Sequence, residues 1–220
     1  MKKRLVLYGV ALVGIMLLAS CSLGGSGVAA CNEGGALFQD DFSGEQNCGW
    51  AEYNRGGAVV AIDEGVLRIS TSQPGQIWWT NPGKSFDDVI ISTDARQVSG
   101  PNNNAYGVVC RYQNEHNFYI FLISGDGYYT IGKYSSDSPT ITYLTENEEY
   151  QFSEVINQGT ATNQIRASCI GQELSLAVNG ITLVNVMDPT FVIGDVGLAV
   201  STLEPGTAVV EFSNFRVVAP

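Results

Sequence analysis

The chain has 220 residues, with 22 Asp and Glu, 11 Lys and Arg and one histidine, and a formal net charge of −11 at pH 7. Beyond residues 2–4 its basic residues are scattered singly along the sequence. Phosphate backbones need clustered Lys and Arg, so nucleic acid is excluded as a partner.

Lys2, Lys3 and Arg4 open the chain, an uncharged and mostly apolar run covers residues 5–19, and Ser20-Cys21 follow. A basic start, an apolar middle and a small residue at the end make residues 1–20 a secretory signal peptide. The run of 15 residues is shorter than the roughly 18–20 that a spanning helix needs. Leu18-Ala19-Ser20-Cys21 resembles the lipobox of bacterial lipoproteins. That resemblance implies lipid on Cys21 and a membrane-anchored, extracytoplasmic protein of the bacterial cell envelope. Losing residues 1–20 removes three basic and no acidic residues, leaving 8 basic and 22 acidic ones and a net charge near −14. Residues 21–35 are rich in Gly and Ser and read as a flexible tether to a single domain over 36–220.

Four further cysteines, Cys31, Cys48, Cys110 and Cys169, form an even set in an exported chain. They read as a disulfide framework with three possible connectivities. The preferred one pairs Cys31 with Cys48, clipping the start of the domain to its next segment, and Cys110 with Cys169, joining distant strands. With no Cys-x-x-Cys and only His116 as histidine, a zinc site has little to build on.

From residue 36 onward the sequence reads as short strands and turns. A first strand is expected over 38–42, a hairpin over 58–63 and 65–71 around Glu64-Gly65, and strands over 77–80 and 85–98. Strands over 104–112, 117–124 and 128–134 follow, the last two joined by Gly125-Asp126-Gly127. Further strands are expected over 139–144, 162–170, 173–178 and 182–186, with Asn179-Gly180 as a turn, and over 196–203 and 207–218. About a dozen Val-, Ile-, Tyr- and Phe-rich strands argue for an all-β jelly-roll sandwich of antiparallel strands. Residues 146–157 fit a capped helix, from Thr145 and Glu148, about as well as strand and turn, and stay unassigned.

The central strands are apolar on both faces. In 117–124, Phe118, Ile120 and Leu122 share one face, and Tyr119, Phe121 and Ile123 the other. A sandwich strand needs only one buried face, so the second is either covered by long loops or lines a groove. Tyr119, Tyr129, Lys133 and Arg111 are the expected groove lining. Trp78 and Trp79 are adjacent in a strand and must point to opposite faces, which makes Trp79 a candidate exposed ring.

Phe38-Gln39-Asp40-Asp41-Phe42, Trp50, Gly65-Val66-Leu67-Arg68-Ile69, Tyr106 to Tyr112, Asn117 to Phe121, Asp126-Gly127-Tyr128-Tyr129, Val178-Asn179-Gly180, Gly194 to Leu198 and Val210 to Phe215 occur in this order. The pattern resembles the concanavalin A-like lectin/glucanase superfamily. Within it the similarity is greatest to the branch labelled 3-keto-disaccharide hydrolase, or domain of unknown function 1080, and to laminin-G-like modules. It spans about residues 36–218 and rests on turn glycines and core aromatics, so it implies the fold more than the activity.

Chemistry is less well supported. Glucanases on this fold use a Glu-x-Asp-x-(x)-Glu pattern, whereas Glu146-Asn147-Glu148-Glu149 lacks the central Asp and Asp87-Asp88 only opens a strand. His116 sits in a Gln113-Asn114-Glu115-His116 turn, too isolated for a triad or a metal-held base. No catalytic residue is assigned and no cofactor is required. Calcium sites known in the superfamily would map here to Asp40, Asp41 and Asp195, if the chain ends meet. The expected function is therefore a lipid-anchored, monomeric, non-catalytic lectin-like module that binds carbohydrate or another surface ligand. Arg111, Tyr119, Tyr129, Lys133 and Trp79 are its expected contacts. A glycoside or 3-keto-glycoside hydrolase and an adhesive protein-interaction module are the alternatives.

Overall fold

A computed structural model describes residues 31, 35–44, 47–138 and 140–220. The expected signal peptide, Cys21 and nearly all of the tether lie outside them. Among the described residues no helix is long and apolar enough to cross a membrane. The strands in chain order are β1 (Phe38–Asp40), β2 (Tyr53–Arg55), β3 (Ala58–Asp63), β4 (Val66–Thr71), β5 (Ile77–Thr80), β6 (Val89–Ser99), β7 (Asn104–Asn114) and β8 (Asn117–Ile123). They continue with β9 (Tyr128–Tyr134), β10 (Thr142–Tyr143), β11 (Gln151–Phe152), β12 (Thr162–Ile170), β13 (Glu173–Val178), β14 (Ile181–Met187), β15 (Asp195–Thr202) and β16 (Ala208–Val218).

These strands form two antiparallel sheets, the expected jelly-roll sandwich. The nine-stranded sheet runs β14-β13-β12-β6-β16-β4-β3-β2, with β1 also on β16. The seven-stranded sheet runs β10-β9-β8-β7-β15-β5, with β11 also on β9. The short strands β2 and β11 are too brief to show a period in sequence. The unassigned segment contains one irregular 3-10 turn, Glu146–Glu148, and then β11.

The main core lies between the sheets, where alternate residues of each strand meet: Leu67 and Ile69 of β4, Ile91 of β6, Tyr119, Phe121 and Ile123 of β8, and Val210 and Phe212 of β16. At one corner Trp50 packs edge-on against Phe215 at 5.0 Å and its indole N–H donates to Asp40 Oδ2 at 3.0 Å. Edge-to-face pairs of this kind contribute about 0.5–1.5 kcal/mol beyond the area they bury.

Both expected disulfides are formed. Cys31–Cys48 ties the entry of the domain to the segment before β2. Cys110–Cys169 joins β7 of one sheet to β12 of the other, so the residues on the Cys110 side of β7 face the core. Paired cysteines of this kind belong to an oxidising, extracytoplasmic setting.

A second apolar cluster lies on the outer face of the seven-stranded sheet. Ala105, Val109, Phe118, Ile120, Leu122 and Ala199 are its buried members. The second face of β8 is thus covered, with Phe118, Ile120 and Leu122 all buried, and the groove lies beside it rather than on it. Over β8 and β9 residues 140–152 roof the outer face, with Ile141 and Tyr150 packed on the cluster. Toward β5 none of the described segments covers it.

Candidate functional site

The open part of the outer face is built from β5, β7, β8 and β9. Trp79 faces outward because its β15 partner, Ala199, is an outer-face residue, while Trp78 faces inward opposite Val200. Edge strand β5 is held from behind: Tyr53 Oη donates to the Trp79 carbonyl at 2.8 Å and Thr80 Oγ1 to the Ala51 carbonyl at 2.8 Å. Burial pushes the Tyr53 hydroxyl up to about 12, so it remains a donor at any physiological pH.

Tyr112 reaches the same face through a bulge. Val109 pairs Gly197 and Tyr112 pairs Asp195, so two residues of β7 oppose one of β15. Arg111, at φ 51°, occupies the bulge and turns its side chain inward. A Cβ on Gly194 would lie 2.4 Å from the Arg111 carbonyl carbon, so glycine is required where the backbones cross.

The outcome is a continuous aromatic floor. Trp79 lies 5.1 Å from Phe118 and 6.1 Å from Tyr112, and Phe118 stacks on Tyr134 at 4.6 Å and 20°. Phe118 is fully buried, while Trp79, Tyr112 and Tyr134 are half-buried with part of each ring open to solvent. Two hollows flank Trp79 and share Glu115. One of about 490 Å³ is bounded by Arg55, Gln76, Trp78 and Tyr112. The other, of about 760 Å³, is bounded by His116, Tyr134, Asp137 and the serines at 135, 136 and 138. Arg55 is fixed over the Tyr53 ring at 4.7 Å, and Glu115 pairs with His116 at 3.3 Å in the β7–β8 turn. An apolar floor with a rim of carboxylate, guanidinium, amide and hydroxyl groups suits a ligand with flat C–H faces and many hydroxyls.

Of the five expected contacts, Trp79 alone is on this floor. Arg111, Tyr119, Tyr129 and Lys133 all lie on the other side of the sheet. Arg111 is 1% exposed; its Nη1 donates to the carbonyls of Gly171 at 2.8 Å and Phe191 at 2.7 Å, and its Nη2 pairs with Asp88 at 3.0 Å. Tyr119 Oη donates to Asp188 Oδ1 at 2.6 Å and accepts from Phe191 N–H at 3.0 Å. Lys133 Nζ reaches Asp188 Oδ2 at 2.6 Å and Thr190 Oγ1 at 2.9 Å. Burial works against the Asp188 charge, but Lys133, Thr190 and Tyr119 outweigh it and hold its carboxyl down at about 2. Tyr129 is half-buried against the main core, with Oη 3.4 Å from the Leu183 carbonyl. Arg111, Tyr119 and Lys133 thus clamp the segment before β15.

The expected calcium ligands are used otherwise. Asp40 accepts from Phe42 N–H and the Trp50 indole, Asp41 from Ser43, and Asp195 from the N–H groups of Gly83 and Val196. Among the described residues no group of three His, Cys, Asp or Glu could hold a metal ion. Burial raises the carboxyls of Asp40 and Asp195 above their ordinary range.

No family model and no curated protein matches the sequence. Solved structures do share the fold. The carbohydrate binding module CBM66 from Bacillus subtilis superposes with a TM-score of 0.60 at 15% identity, covering 78% of this chain and 96% of that one. A Bacillus subtilis protein of unknown function with a galectin-like fold gives 0.60 at 12% identity over 86% of this chain and 99% of that one. The GH43 protein BlXynB from Bacillus licheniformis gives 0.59 at 14% identity over 83% of this chain and 39% of that one.

Proposed function

We propose that the protein is an exported lectin-like module, lipid-anchored through Cys21 and monomeric, that binds carbohydrate over Trp79 without cleaving it. The observation that carries this reading is the set of half-buried rings Trp79, Tyr112 and Tyr134, packed around the buried Phe118 and bordering two hydroxyl- and charge-rimmed hollows. Sugar rings present C–H groups on one face and hydroxyls at their edges. The first stack on aromatic faces and the second hydrogen-bond to rim groups such as Glu115, Asp137 and Arg55. A carbohydrate binding module among the structures of the same fold supports the same ligand class.

The character of the rim supports binding rather than turnover. Glycoside hydrolysis needs one carboxylic acid kept protonated by an apolar or like-charged setting, beside a second carboxylate. Glu115, the carboxylate shared by both hollows, has a side chain 71% exposed to water and faces His116.

A microbial and plant glycan array, run with and without calcium, tests the ligand class. The mature chain is expected to retain one or more neutral glycans in both conditions, and silence across all classes would sink the reading. Mass spectrometry of the cell-derived protein should find diacylglycerol on Cys21, with Cys21→Ser released into the soluble fraction. An unmodified Cys21 would overturn the anchor and leave the binding reading untouched.

A further inference from the structure

We propose a second carbohydrate-stacking site on the same sheet face, at the opposite end of β8, formed by Tyr128 and Phe152. It rests on the carbohydrate reading above and extends it to a part of the molecule that the Trp79 groove does not reach. Tyr128 and Phe152 are direct cross-strand partners of β9 and β11, and their rings meet edge-on at 5.5 Å. They are 40% and 52% exposed, whereas Phe118, Phe121, Phe38 and Phe212 are fully buried. Beside them a hollow of about 300 Å³ is bounded by Asn103, Ser124, Asp126, Tyr150 and Leu203. Tyr128 also lines this hollow, and Leu203 across it is 38% exposed, so apolar surface stands next to a carboxylate, an amide and hydroxyls. That pairing of C–H-stacking surface with hydrogen-bonding rim is the chemistry of the first site in miniature.

The backbone that carries the two rings is held in place, which lowers the ordering cost of binding. Tyr128 N–H donates to Ser124 Oγ at 3.0 Å, Ser124 N–H to the Tyr128 carbonyl at 2.8 Å and Ser153 N–H to the Gly127 carbonyl at 2.9 Å. Asp126 accepts the Ser124 hydroxyl, which orients its carboxylate beside the hollow. Gly127, at φ 95°, lies against the Phe152 ring, where a Cβ would come within 2.9 Å of Cε2. The hairpin turn is thus shaped to seat that ring.

Phe118 and Ser124 lie six residues apart on β8 and the segment after it, about 20 Å at strand rise. A short oligosaccharide occupies one site only, whereas a polysaccharide can meet both and gain avidity.

The test is a calorimetric titration of the mature chain with a tetrasaccharide from the strongest array class. Two sites per chain are expected, one lost in Trp79→Ala and the other in Tyr128→Ala/Phe152→Ser. The corresponding polysaccharide should bind either variant at least tenfold more weakly than the parent. Thermal melts and Tyr128→Phe, which keeps the stacking ring and should keep both sites, guard against misfolding. One site per chain, unaffected at Tyr128 and Phe152, would overturn this inference and leave the Trp79 reading standing. Absence of binding to every array glycan would overturn both.

Discussion

The outer face of the seven-stranded sheet is one surface treated in two ways. Over β8 and β9 it is roofed: Ile141 and Tyr150 pack onto Phe118, Ile120 and Leu122. The roof is fastened by Leu144 N–H to the Ile131 carbonyl at 2.8 Å and by the Thr130–Thr145 hydroxyl pair at 2.8 Å. Tyr143 and Tyr150 meet edge-on at 5.2 Å, and burial raises both hydroxyls well above their usual range. Over β5 and β7, and at the Tyr134 end of β9, Trp79, Tyr112 and Tyr134 are only half-buried and border the polar-rimmed hollows. Phe118 and Tyr150, packed under or within the roof, are thus structural, while Trp79, Tyr112 and Tyr134 are available to a ligand. Composition alone does not separate them; what covers each ring does.

The contrast breaks most visibly if the two halves respond alike to truncation. Tyr150→Ala empties the roofed half and is expected to cost about 3–5 kcal/mol of stability, with little change in glycan affinity at the Trp79 groove. Denaturant melts and array retention read the two effects separately. Removing the Cys110–Cys169 link between the sheets, as Cys110→Ala/Cys169→Ala, should lower stability by about 4 kcal/mol for its 59-residue separation. Affinity is again spared if the variant is folded. Trp79→Ala should do the reverse, losing about 2 kcal/mol of binding, roughly thirtyfold in Kd, while Trp79→Phe keeps part of it.

The fold and the pairing of cysteines were legible in the residues, because period-two alternation and Gly-containing turns encode them directly. Of the expected contacts, only Trp79 borders the open face. Strand β8 is apolar on both faces, so its pattern alone does not tell inside from outside, and the structure places Tyr119, Tyr129 and Lys133 on the core side of the sheet. A signal was present: Cys110 must face the other sheet to reach Cys169, and antiparallel pairing places Tyr119 opposite Cys110. The inward turn of Arg111 had no such signal, since it depends on a bulge set by the partner strand.

A smaller effect separates the inner polar clamp from the outer rim. Asp188 has a folded value of about 2 against an ordinary 3.8. It therefore adds stability that is complete above about pH 4 and is lost as pH falls toward 2, about 1–2 kcal/mol after allowance for solvent screening. Lys133→Met should flatten that acid limb in pH-dependent melts, and Glu115→Gln should not. The smallest expectation is for a chelator. With Asp40, Asp41 and Asp195 already occupied by N–H donors, melting temperature and glycan binding should be the same with and without EDTA.

The central claim is that the open half of this face binds sugar through Trp79. Tryptophan fluorescence of the mature chain, titrated with the strongest array tetrasaccharide in parallel with Trp79→Phe and Trp78→Phe, tests it most directly. A saturable spectral change that persists in Trp78→Phe and disappears in Trp79→Phe is expected. A change retained in full by Trp79→Phe would place the ligand elsewhere and contradict the account.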